Sequence, residues 1–206
     1  FQASKKQTQV PSTKIQNAFL PSMVRDTSRY GTFSAELRNV AILFIHIDIS
    51  RFGQRRFSKE LNLAYIHIQE SVYRYEGLVN KIDFNEKGMV VLCSFGFPVA
   101  HINDVERAVF AARAIVDYHQ KGIFRIGITY SNIYCGILGA PKRYEYGVIG
   151  NGVNAAARLM MEAGADQIVV EELFVQKTSL RFEFEYLKEV LVKGFTEPIR
   201  IQLITG

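Results

Sequence analysis

The chain is poor in cysteine, has no long apolar run and shows no concentrated basic face, and each shortage removes a class of function. Only two of its 206 residues are cysteine, Cys93 and Cys135. Both sit in apolar, strand-like runs without C-x-x-C spacing, so buried free thiols in a reducing compartment are expected rather than a disulfide framework or a zinc site. No apolar run approaches the roughly 18 residues that a membrane helix needs. The N-terminal segment is polar and lacks the hydrophobic block of a signal peptide, so a cytoplasmic location is expected. A net charge of +5 hints at nucleic acid, but residues 1–40 hold six Lys and Arg against two acids, +4 of that +5, which leaves +1 for the other 166 residues. A nearly neutral body behind a basic leader does not make a nucleic-acid surface. No Ser-His-Asp or Cys-His set is assembled by spacing. The Gly150-Asn151-Gly152 run lacks the Lys-Ser/Thr that completes a P-loop.

What remains is an ordinary globular composition, 48% hydrophobic and 22% charged, long enough for one well-buried domain. Residues 1–35 have no sustained period and read as a basic linker or leader, with residues 36–206 as the folded body. The chain begins at Phe1 rather than Met, which reads as a piece of something larger. Val40–Ile47, VAILFIHI, is a short β-branched run suited to a central strand covered on both faces. Leu61, Tyr65, Ile68, Val72 and Tyr75 follow helical spacing, with Gly77 placed to cap the end. Leu78–Asp83 and Met89–Phe95 read as a hairpin. A second helix starts near Asn103 or Asp104 with Ala108, Val109, Ala112, Ile115 and Val116 inward. Phe124–Tyr130 and Ile133–Leu138 read as a further hairpin around Ser131-Asn132, followed by a polar arm over Gly139–Arg143. Later strands are expected at Gln167–Val170, Phe182–Tyr186 and Pro198–Ile204, with a short helix over Glu171–Phe174. The order is an α+β, ferredoxin-like βαββαβ core with added strands: an antiparallel sheet with helices packed on one face.

The most specific chemistry lies in Tyr144–Leu159, YEYGVIGNGVNAAARL. A glycine-punctuated turn, Gly147–Gly152, runs into an Ala-rich helix on which Asn154 and Arg158 are one turn apart and share a face. An amide and a guanidinium aimed the same way suit an oxyanion or a polyphosphate. A helix start followed by a solvated Asn and Arg is the plain alternative. His46, within an apolar strand, reads as a hydrogen-bonded core residue ahead of a metal ligand, and Lys81 equally as a surface lysine or a nucleotide contact.

Several segments together resemble the class III nucleotidyl cyclases: ELRNVAILF (Glu36–Phe44), GLVNKI (Gly77–Ile82), FGFP (Phe95–Pro98), the long stretch Phe124–Leu159 and VKGFTEPI (Val192–Ile199). Within that family the chain looks most like the second cyclase half of the soluble, bicarbonate-responsive adenylyl cyclases. The resemblance implies a head-to-tail pair of ferredoxin-like domains with ATP in the cleft between them. The partner is then a second cyclase domain, an intramolecular pseudo-heterodimer or a homodimer. It implies that Asn154 orients the ribose, Arg158 stabilises charge on the transferring phosphoryl group, Lys81 reads adenine and Lys193 meets the triphosphate. It also implies two Mg²⁺ or Mn²⁺ ions on two aspartates. Here this sequence departs from the pattern. The first metal position falls on His46, or on Asp48 in the register set by DISRF. The hairpin lacks the usual Gly-Asp pair, so the metals are expected on the partner half. The second base-reading position falls on Gly147, which has no side chain to donate or accept. A non-catalytic module on the same fold is the second expectation.

Overall fold

The structure is a computed structural model that describes residues 35–85, 88–119, 121–140, 143–179, 182–191 and 197–206. Apart from Ala35 the basic leader falls outside these residues, as does Lys193.

β1 (Glu36–Ile47) is the central strand. It alternates cleanly: Ala41, Leu43, Ile45 and Ile47 enter the main core, whereas Phe44 and His46 on its other face stay half-exposed. α1 (Phe57–Arg74) follows, burying Ala64, Ile68, Ser71 and Val72. It ends in a Schellman motif, with Glu76 N donating to Tyr73 O and Gly77 N to Val72 O. The left-handed position is taken by Glu76, at φ 58°, and not by Gly77. Gly77 is required for a different reason: a Cβ there would lie 2.5 Å from the Phe95 ring. Glu76 is held by Arg107 at 2.6 Å and His101 at 3.1 Å, which offsets its strained backbone.

β2 (Leu78–Asn85) and β3 (Gly88–Phe95) form the expected hairpin. α2 (Asp104–Val116) then packs Ala108, Val109, Ala112 and Ile115 against the sheet beside α1. Its inner stripe follows the 3.6-residue period read from the sequence.

β4 (Phe124–Ala140) is one continuous strand of 17 residues, which corrects the hairpin expected around Ser131-Asn132. Those two residues look like a turn, but β1 offers them partners: Ser131 stands opposite Val40, and Asn132 opposite Asn39 with an amide–amide hydrogen bond of 3.2 Å. Long-range pairing overrides local turn chemistry here. The true hairpin lies further on, where β5 (Arg143–Ile149) folds back on the end of β4 in place of the expected arm. Half of the expected turn, residues 147–149, is therefore strand. α3 (Asn151–Glu162) starts directly after Gly150. β6 (Gln167–Glu171), α4 (Glu172–Val175), β7 (Phe184–Val190) and β8 (Ile199–Ile204) complete the fold.

The strands run in the order β2-β3-β1-β4-β6-β8-β7, with β5 beside the far part of β4. The first four, with α1 and α2, are the ferredoxin-like core, all antiparallel. Two features go beyond that pattern. The β4–β6 pair is parallel, and α3 lies on the face opposite α1 and α2. Among the described residues no helix is long and apolar enough to cross a membrane.

Candidate functional site

The face that carries α3 is the one with chemistry on it, and its layout follows from the strand registers. Lys81 on β2 stands opposite Leu92, Leu92 opposite Phe44 and Phe44 opposite Gly127, so these four make one rank across β2, β3, β1 and β4. Gly127 lies under α3: a Cβ there would overlap Ala156 O and Met160 N. Only glycine lets the helix backbone come so close to the strand. Lys81 and α3 thus share one face, with Lys81 and Gly127 separated by three strand spacings, about 14 Å.

Two further contacts fix α3. The buried Thr129 hydroxyl donates to Gly152 O at 2.9 Å. Ala155, Ala156, Leu159 and Met160 are buried beneath the helix, with Leu159 packed on Val169 and Ile201. The opposite side of α3 presents Asn154 and Arg158 to solvent, as their spacing predicted. Neither side chain has a hydrogen bond or ion pair among the described residues. An amide and a guanidinium on a rigidly seated helix, without partners among the described residues, suit an anionic ligand.

A second rank, one pleat along, holds Asp83, Val90, His46 and Arg125. Asp48 follows immediately beyond β1. Its carboxylate accepts from Ser50 N at 3.0 Å and Ser50 Oγ at 2.6 Å, capping the 3₁₀ turn Ile49–Arg51. The Ser50 hydroxyl is the main cause that holds the Asp48 carboxyl below its usual range, against some opposing desolvation, with His46 and Arg125 adding positive charge nearby. Asp83 accepts from the backbone N of Phe84 at 3.0 Å. Among the described residues no group of three His, Cys, Asp or Glu side chains is arranged to hold a metal ion. Two aspartates are what the family's metal pair requires; here Asp48 is engaged by Ser50 and Asp83 by the Phe84 N–H, and His46 stands in the same rank as Asp83.

Gly147 sits on β5 opposite Gly136. A Cβ there would meet only Leu138 Cδ1, at 3.2 Å. β5 approaches β2 without pairing to it, which brings the strand of Gly147 towards the strand of Lys81. The structure thus puts Lys81 on the sheet face that α3 covers, with Asn154 and Arg158 on the outer side of that helix; Gly147, paired with Gly136, alternates to the other face from Gly127, Thr129 and Ser131, and Lys193 lies outside the described residues. The sequence reading passed over Gly127 and Thr129, which seat α3. A glycine inside the apolar strand Phe124–Tyr130 was the available signal of a close backbone approach.

Residues 34–205 match the family described as Adenylate and Guanylate cyclase catalytic domain. The chain is similar to adenylate cyclase type 10 of Homo sapiens, 34% identical over 145 residues, 66% of this chain and 9% of that protein. It is similar to adenylate cyclase type 10 of Mus musculus, 32% identical over 179 residues, 84% of this chain and 11% of that protein. It therefore spans about a tenth of the length of these relatives. In fold it is similar to the adenylyl cyclase CyaB from P. aeruginosa, with a TM-score of 0.71 at 21% identity over 84% of this chain and 96% of that one. The catalytic core of a rhodopsin-guanylyl cyclase with converted specificity, in complex with ATPalphaS, gives a TM-score of 0.70 at 21% identity over 84% and 98%. With a family match across nearly all of the described body and the ferredoxin-like sheet expected of it, the chain belongs to the adenylate and guanylate cyclase catalytic domain family.

Proposed function

We propose that this domain is one half of an adenylyl cyclase site shared with a second cyclase domain, converting ATP to cyclic AMP and pyrophosphate. The carrying observation is the Asn154–Arg158 pair: two exposed polar side chains without partners among the described residues, one turn apart, on a helix whose backbone is pinned to β4. A purely structural helix has no need of either group. In this reading Asn154 orients the ribose so that its 3'-hydroxyl faces the α-phosphorus. Arg158 neutralises the charge that grows on the phosphoryl group as the oxygen–phosphorus bond to pyrophosphate breaks. Lys81 donates to the base from the same face, and Lys193 meets the triphosphate.

Mg²⁺ or Mn²⁺ falls to the partner half, because the hairpin of this chain lacks the usual Gly-Asp pair and the Asp48 carboxylate is engaged by Ser50. A cytoplasmic location is part of the same proposal. A second reading, a degenerate module that binds nucleotide or regulates a cyclase dimer, draws support from Gly147, which brings no side chain to the base end.

The test combines the chain with a class III cyclase half that carries both metal aspartates and measures cyclic AMP with Mg²⁺ or Mn²⁺. Activity of the mixture that falls by about 10²–10³ in Arg158→Ala supports the shared site. Activity indifferent to Arg158→Ala rules it out. ATP binding without any turnover selects the regulatory module instead.

A further inference from the structure

The side of the sheet away from α3 carries a cavity of about 600 Å³, within the size range of small-molecule sites. It opens along α2. Ile168 of β6 lines it and belongs to the core under α1 and α2, whereas the next residue, Val169, packs on Leu159 of α3. Successive strand residues point to opposite faces, so the sheet itself separates this cavity from Asn154 and Arg158.

The lining divides by chemistry. Ile168, Val116 and Ile204 supply apolar surface. Tyr75 and Phe110 supply two rings whose planes differ by 28°, with centroids 5.8 Å apart, and Phe182 braces Phe110 edge-on at 5.6 Å. Rings held in this way offer a broad apolar wall to another aromatic group. The charged groups around the wall are engaged, with one exception. The Asp166 carboxylate accepts from Gly122 N at 2.5 Å and Phe124 N at 3.2 Å. Asp117 takes Lys121 at 3.2 Å, and the same ammonium donates to Val116 O at 3.1 Å. Arg113 lines the cavity, is exposed, and has no hydrogen bond or ion pair among the described residues.

We infer that this cavity is a binding site for a small aromatic carboxylate, its ring lying along Tyr75 and Phe110 and its carboxylate paired with the Arg113 guanidinium. The planar fork of a guanidinium matches a carboxylate with two parallel hydrogen bonds, and it also stacks on aromatic faces. Charge sets the preference. Both acids of the lining already hold donors, so a cationic head finds no idle carboxylate, and a neutral one leaves the guanidinium unpaired. The site is distinct from the proposed nucleotide face and stands without it.

The test titrates the chain by calorimetry with three probes substituted at the same ring position: naphthoate, naphthalenemethanol and naphthylmethylamine. Naphthoate is expected to bind one to one, the neutral alcohol at least about tenfold more weakly, and the ammonium more weakly still. Arg113→Gln, at an exposed position, is expected to bring naphthoate down to the level of the alcohol, a loss of at least about tenfold. Arg113→Glu, read the same way, serves if Arg113→Gln does not fold. Thr205→Trp, which fills the cavity from its exposed rim, is expected to weaken naphthoate and alcohol alike. Arg158→Ala, on the other face, is expected to leave naphthoate binding unchanged. Equal affinity for the three probes, no naphthoate binding at millimolar concentration, or naphthoate binding indifferent to either cavity variant overturns the proposal. So does a loss of naphthoate binding in Arg158→Ala, which places the anion on the nucleotide face instead.

Discussion

Gly127 of β4 lies in direct contact with the backbone of Ala156 of α3, so close that a Cβ on Gly127 would overlap the Ala156 carbonyl oxygen. The helix that carries Asn154 and Arg158 is thereby set on the sheet backbone to backbone, with no flexible side chain in between. The obstacle to a larger residue is backbone, which cannot swing aside.

Gly127→Ala is therefore expected to lift α3 and to cost about 1–3 kcal/mol of stability. The displaced helix also carries Asn154 and Arg158 out of position, and a shift near 1 Å is enough to lower a positioned reaction by about 10²-fold. Thermal unfolding and cyclase activity of the mixed halves check the two effects. A variant with wild-type values in both would show that Gly127 does not seat the helix.

Arg158→Lys keeps the charge and loses the planar fork of donors. A residue that stabilises developing charge should show the loss in kcat, with KM for ATP little changed. Since Arg158 is exposed and free of partners among the described residues, the melting temperature should stay within about 1 °C of wild type. A rise in KM alone would point to ground-state binding instead.

Gly77→Ala tests the packing at the end of α1. The added methyl meets the fully buried Phe95 ring at 2.5 Å, which predicts a loss of about 1–3 kcal/mol, read as a lower denaturation midpoint. Equal stability of the variant would show that the ring can yield.

Glu171 gives a pH dependence of defined sign. Burial at the end of β6 pushes its carboxyl up to about 7, only partly opposed by the Tyr130 N–H that donates to it at 3.4 Å. The folded chain then holds this proton more tightly than the unfolded chain, whose carboxyl titrates at its ordinary value. The contribution of Glu171 to stability is greatest below about pH 4.5 and falls as pH rises through about 7, by on the order of 3 kcal/mol at most. Glu171→Gln removes the titration, so its gain in melting temperature over wild type should grow across that window and level off above about pH 8. A gain that is constant with pH would show that Glu171 does not ionise there.

Much of this was legible in the sequence because it depends on local periodicity. The apolar alternation of β1, the stripe of α1 and the four-residue spacing of Asn154 and Arg158 all use the 2.0 and 3.6 residue repeats, which the chain carries wherever it folds. The family could be read for a related reason: the segments that resemble it are contiguous.

What failed in the sequence reading was decided by partners far along the chain. Ser131-Asn132 has turn composition, yet β1 claims both residues for its ladder, because a 12-residue strand offers hydrogen bonds that a local turn cannot match. Gly77 was read as the left-handed cap, but the tertiary pairing of Glu76 with Arg107 and His101 holds a non-glycine residue there and frees Gly77 to admit Phe95. The sequence by itself determined β1, the β2–β3 hairpin, α1 and α2, the family and the shared face of Asn154 and Arg158. Only the tertiary structure decided that Lys81 lies on the face α3 covers and that Gly127 seats this helix. Such relations depend on register between distant strands, and register is fixed by packing of the whole sheet rather than by any one segment.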